Sequence, residues 1–156
     1  MLAAELMGEL EKTLKILKKI DSFYNDFKNQ DLKHIGKTTT TAIVMAEIFV
    51  DFFTCVETLF IRISRFFENS LQSEKWHSDL LHKMTLEIIN IRPAVISDET
   101  FSILKELLKF RHFRRYYFDF EYDWEKIDFL EAKYNQVYKM LKRDLLKFHE
   151  FLVQIG

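Results

Sequence analysis

Punctuation is scarce in this chain: three glycines and one proline in 156 residues, with one glycine at the last position. A β-rich fold needs turn residues every few positions and alternating runs between them. Neither is present, and apolar side chains recur instead at spacings of three and four. Leu6, Leu10, Leu14, Leu17, Ile20, Tyr24 and Phe27 share one face, closed by the polar run Lys28 to Lys33 and the breaker Gly36. A second and longer helix spans about Thr39 to Asn69, with the stripe Ala42, Met45, Phe49, Phe52, Val56, Leu59, Ile63 and Phe66. Ser73 is placed to cap a third helix running to about Ile88. Pro93 breaks the pattern, and Ser97 followed by Asp98 and Glu99 opens a fourth helix, where early acids suit the positive end of the dipole. Asp123 or Asp128 caps a last helix bearing Ile127, Leu130, Tyr134, Val137, Leu141, Leu145 and Phe148. The spacing predicts an all-α, antiparallel up-and-down bundle of about five helices. Phe49, Phe52, Val56, Ile63, Leu104, Leu108, Leu130 and Leu141 are expected to be buried in it.

Length sets this as one domain over residues 1–156, long enough to close a single core. No repeat, low-complexity tract or inter-domain linker divides it. The formal net charge of −1 supplies no global field for nucleic acid, so any RNA contact has to come from a local cluster. Cys55 is the one cysteine, which excludes an internal disulfide and a Cys-rich zinc site. Among Phe52, Phe53 and Val56 it reads as a small buried apolar group, a usage that suits a reducing cytoplasm. The N-terminal run interleaves charge with leucine, unlike a signal peptide. The most apolar stretch, Thr38 to Phe53, is interrupted by Glu47 and Asp51, so no membrane span is expected.

Few short motifs survive their own context tests. Gly36-Lys37-Thr38 matches the end of a phosphate-binding loop, but Asp31 stands where the first glycine belongs and no strand precedes it. The threonines after it read better as a helix start. His77 and His82 are five apart, off the i, i+4 alignment of a helical metal pair, and no third ligand is evident. Neither a metal nor a cofactor is expected. Trp76 reads as a packing anchor.

One segment resists a purely structural reading. In FRHFRRYYFDFEYDW, Arg111, His112, Arg114 and Arg115 crowd one helical stretch among aromatics, with Tyr116 and Tyr117 following. Arg111 and Arg115 share a face, where like charges repel by a few tenths of a kcal/mol. Guanidinium forks beside aromatic planes hold phosphates and unstacked bases. Glu57, set between Val56 and Leu59 on the second helix, is expected to face inward. A buried carboxylate wants a cation, and an arginine of this basic segment is the candidate.

Several ordered motifs carry a family resemblance. Trp76-His77 with Leu80-Leu81, Ile91 to Val95 (IRPAV), Phe110 to His112 (FRH) and Asp123-Trp124 occur in the order found in a group of HepT-like proteins of the HEPN superfamily. The similarity covers about Val50 to Leu130, and the terminal helices match in pattern. The resemblance implies a helical bundle that forms a homodimer and joins two copies of an Arg-polar-x-x-x-His motif. In active relatives that composite site cleaves RNA without a metal, through attack by a ribose 2′-hydroxyl. Such proteins are commonly toxins, neutralised by a nucleotidyltransferase encoded beside them, which in some pairs adenylylates a tyrosine near the motif. Carried over, Arg111 matches the motif arginine, His112 its polar position, and Tyr116 stands where the histidine belongs. The tyrosine often found two residues further on falls on Phe118, with Tyr117 adjacent.

That departure bears on chemistry, because a phenol titrates near pH 10, far from where a proton shuttle works best. Three readings follow. The first is a toxin-like RNA-cleaving or RNA-binding dimer that uses Arg111, His112 and Tyr116, with Arg114, Arg115 and Tyr117 toward phosphate and Glu57 in support. The second is a non-catalytic substrate-binding or regulatory subunit of a nucleotidyltransferase. The third is a plain helical dimerisation module, with the basic stretch paired to acids such as Asp119 and Glu121.

Overall fold

The computed structural model describes residues 2–68, 76–116 and 123–156, and excludes the side chains of Trp76, Arg115 and Tyr116. It is all-α, with five helices among the described residues. Helix α1 (Ala3–Phe27) continues through a π-helical turn, Lys28–Leu32, and a last turn, Lys33–Ile35. Helix α2 is Thr39–Phe67, α3 is Trp76–Lys83, α4 is Asp98–Tyr116 and α5 is Trp124–Ile155. Helix α1 runs antiparallel to both α2 and α5, which therefore run parallel to each other. Glu9 near the start of α1 meets Arg62 near the end of α2, while His149 of α5 meets Glu11 and Tyr134 meets Asp21.

The polar run Lys28 to Lys33 does not end the first helix as expected. Its polar side chains stay at the surface or pair outward, as Lys28 does with Glu131 at 2.9 Å, while Leu32 packs against the core, so the helical path is kept. The stop comes at Gly36, whose φ of 87° lies in the region glycine enters without a side-chain clash. Thr38 then caps α2, accepting from the Thr41 amide at 3.2 Å, while the Thr41 hydroxyl donates back to the Gly36 carbonyl at 2.8 Å. The phosphate-loop lookalike is therefore a helix-to-helix turn. Trp124 Nε1 donates to the Thr38 carbonyl at 2.8 Å and Lys37 pairs with Asp128 at 3.0 Å, tying the start of α5 to that turn. Asp123, rather than Asp128, caps α5 by accepting from the Glu125 amide.

Seven of the eight residues expected in the core are buried; Leu108 is only partly so and packs against the core's edge. Tyr134 sits at the centre, fully buried, with ring centroids of Tyr24, Phe52 and Phe49 at 4.9, 5.1 and 5.5 Å. Its hydroxyl donates to Asp21 at 2.8 Å, and the Tyr24 hydroxyl donates to Glu131 at 2.6 Å. Burial, with the hydrogen bond to Glu131, pushes the Tyr24 phenol up to about 12.

Helix α3 ends at Lys83, short of the expected Ile88, and the Ser73 cap lies outside the described residues. A tertiary interaction wins over local propensity here. The chain folds back so that the Val95 and Ile96 amides both donate to the Met84 carbonyl, and Asn90 takes a positive φ of 66°. Inside this loop the fully buried Arg92 guanidinium donates to the carbonyls of Lys83, Leu86 and Pro93 and to the Glu68 carboxylate at the end of α2. Ser97 caps α4 as expected. Asp144 of α5 reinforces the cap by accepting from the Ser97 amide and the Thr100 hydroxyl.

Candidate functional site

Glu57 is the organising residue. It lies on the inward face of α2 and is 7% exposed, which leaves its carboxylate dependent on protein donors. Arg111 of α4 meets that need: its Nη2 donates to both carboxylate oxygens, at 2.9 and 3.0 Å. Nη1 donates to the Thr54 hydroxyl at 3.2 Å, and the guanidinium plane rests over Phe53, 4.7 Å from the ring centroid. Three elements thus fix the guanidinium: a carboxylate, a hydroxyl and an aromatic face, all within one turn of α2. The pairing expected between Glu57 and the basic segment is present, and Arg111 makes it.

A third group converges on the same carboxylate. His77, in the first turn of α3, places Nδ1 2.8 Å from Glu57 Oε2 and 3.3 Å from Arg111 Nη2. An ionised carboxylate accepts only, so the shorter contact requires the proton on Nδ1. The longer contact is then between two donors that share one acceptor. This assigns the tautomer: in the neutral ring the lone pair lies on Nε2. The imidazole keeps 34% of its side-chain surface exposed. Local sequence spacing gives no hint of this, since 20 positions separate His77 from Glu57. The available signal was its place in the Trp-His pair of the family-like run.

The other residues of the basic segment go elsewhere. Arg114 turns to Glu47 of α2, and this hydrogen bond holds the Glu47 carboxyl below its usual range. Asp51, one turn further along, is pushed up by burial and then by the neighbouring Glu47 charge. His112 is exposed, as its helical offset of about 100° from Arg111 dictates. Arg115 and Tyr116 lie on α4 with their side chains outside the described residues, and Tyr117, Asp119 and Glu121 lie wholly outside them. Among the described residues, Glu57 and Glu47 of α2 receive Arg111 and Arg114. Cys55 is half-buried, and burial pushes its thiol up to about 11, which leaves it a protonated thiol at neutral pH. Among the described residues no group of three or more metal-ligating side chains comes together. No helix among them is long and apolar enough to cross a membrane.

A family model described as HepT-like protein matches residues 44–152, the stretch that carries both Glu57 and Arg111. The chain belongs to that HepT-like family, and the match takes in nearly all of α5 beyond the motif-bearing stretch. No curated protein and no solved structure matches it.

Proposed function

We propose that this chain is a toxin-type HEPN protein that binds and cleaves RNA, without a metal, at a dimeric site centred on Arg111. The observation that supports this reading is the fixed guanidinium. Glu57, Thr54 and Phe53 hold Arg111 in one orientation at the part-exposed end of the basic segment. Preorganised donors lower the cost of holding a charged transition state, because nothing has to reorient as charge develops. Two copies in a closed two-fold arrangement, the commonest kind of oligomer, face one RNA strand with two such clamps. Apolar side chains left exposed on α1 and α2, including Phe23, Ile16 and Ile43, are available for that contact. The tyrosine at position 116 favours a second reading, a subunit whose hydroxyl accepts a nucleotidyl group from a partner nucleotidyltransferase.

Purified protein tested for RNA cleavage and binding, alongside Arg111→Ala and light scattering, decides between these. The expected result is a dimer whose RNA cleavage falls by about 10²-fold or more in the variant, the range for a lost charge-stabilising donor. A monomer inert toward RNA would sink the first reading. Transfer of a nucleotide to wild type but not to Tyr116→Phe would establish the second.

A further inference from the structure

We infer that His77, on α3, is the proton-transfer group of the Arg111 site, with Glu57 as its positioning residue, so that the base comes from a different helix than the arginine. The inference rests on the RNA-cleaving reading above and identifies the group that reading lacks. Tyr116 stands where a histidine is expected, and a phenol is a poor shuttle near neutrality. Among the described residues, His77 is the histidine whose imidazole meets the Glu57–Arg111 pair.

Two contacts carry the assignment. Glu57 Oε2 at 2.8 Å orients the ring and fixes the proton on Nδ1, which leaves Nε2 as the basic nitrogen. A carboxylate in that position also stabilises the imidazolium that forms once a proton is taken up, as in other carboxylate–histidine pairs. Arg111 Nη2 lies 3.3 Å from Nδ1 of the same ring, so a phosphodiester that took the guanidinium's remaining donors would lie beside the imidazole. The ribose 2′-hydroxyl is on the sugar that carries the scissile phosphate, and the assignment requires that sugar to lie at the Nε2 edge of the ring. Among the described residues, the charged groups facing His77 include Glu57 from α2 and Arg111 from α4, of opposite sign.

The step balances without a metal or co-reactant. Nε2 of His77 takes the 2′-hydroxyl proton, and the 2′-oxygen forms a bond to phosphorus. The bond from phosphorus to the 5′-oxygen breaks, and that oxygen leaves with a proton from water. The imidazolium then returns its proton to the hydroxide so formed. The products are a 2′,3′-cyclic phosphate and a 5′-hydroxyl end.

The test compares wild type with His77→Asn, His77→Ala, Glu57→Gln and Arg111→Ala on a single-stranded RNA. His82→Gln serves as the histidine control, and circular dichroism confirms folding. His77→Asn is expected to lose about 10²–10⁴-fold in cleavage rate, the usual worth of a general base, with little change in RNA affinity. The rise of wild-type rate through the imidazole range should be absent from what remains, and added imidazole should restore part of the rate of His77→Ala. Glu57→Gln should lower the rate less than His77→Asn does. Cleavage that depends on Arg111 but is unchanged in His77→Asn, or a folded His77→Ala that imidazole fails to rescue, overturns this inference and leaves the RNA-cleaving reading standing. Wild type inert toward RNA overturns both.

Discussion

Two buried arginine–glutamate pairs hold this bundle together, and they differ in what else the guanidinium does. Arg92, whose side chain is 0% exposed, has its donors taken up by Glu68 and by three backbone carbonyls of the loop around it. No donor capacity is left for a ligand, and the pair works as a staple between the end of α2 and the connection from α3 to α4. Arg111 is 19% exposed and binds side chains instead of backbone: one carboxylate, one hydroxyl and one ring. An imidazole sits beside it. Burial of a charged pair says little about purpose. The saturation of the guanidinium separates the two, with a closed set of donors marking architecture and an open set beside a titratable ring marking a site.

The sharpest way to break this comparison is Arg92→Met. It leaves Glu68 without its cation and takes a donor from three carbonyls, of which the Lys83 carbonyl keeps the Leu86 amide, so urea denaturation should show a loss of ~3–5 kcal/mol, the range for breaking a buried pair. A loss below ~1 kcal/mol would mean that water replaces the guanidinium and that the staple is dispensable. Arg111→Met should cost less, ~1.5–3 kcal/mol, the worth of hydrogen bonds to a charged group, because His77 still serves Glu57. If the two variants prove equally destabilised, exposure and the histidine neighbour do not distinguish the pairs.

The smallest effect is expected at the more exposed pair of Arg114 and Glu47. The folded-state carboxyl of Glu47 lies below its ordinary value, so the stabilisation is present above that ordinary value and is lost as pH falls through the lowered one. The Glu47 side chain is 51% exposed, and solvent screening keeps the contribution under ~1 kcal/mol. Asp51, shifted upward, opposes it across the same acid range. Denaturation of wild type and Arg114→Ala at neutral and at acid pH should show a small gap that closes on acidification, and a gap that widens would contradict the assignment.

Helical spacing made the bundle legible because the apolar stripes of α2 and α5 run unbroken for many turns. The Glu57–Arg111 pair was legible as well, since a carboxylate inside an apolar stripe has to find a cation. What escaped was non-local. His77 is 20 positions from Glu57 and 34 from Arg111, so no local spacing joins them. The early end of α3 came from Arg92, which captures carbonyls nine and six positions before it. The polar run after Phe27 suggests a helix end, although composition alone does not stop a helix whose exposed face is meant to be polar.

Tyr134 has a consequence for how the chain is made. Its hydroxyl bonds Asp21 across 113 positions, and its ring fills the slot between Tyr24, Phe49 and Phe52. Ribosomes add roughly 5–20 residues per second. Helices α1 and α2 therefore leave the ribosome as a hairpin whose aromatic slot stays wet until α5 is made. The nascent bundle carries an open apolar seam for seconds, a natural handle for a chaperone and a stretch where stalled synthesis leaves the chain prone to aggregate.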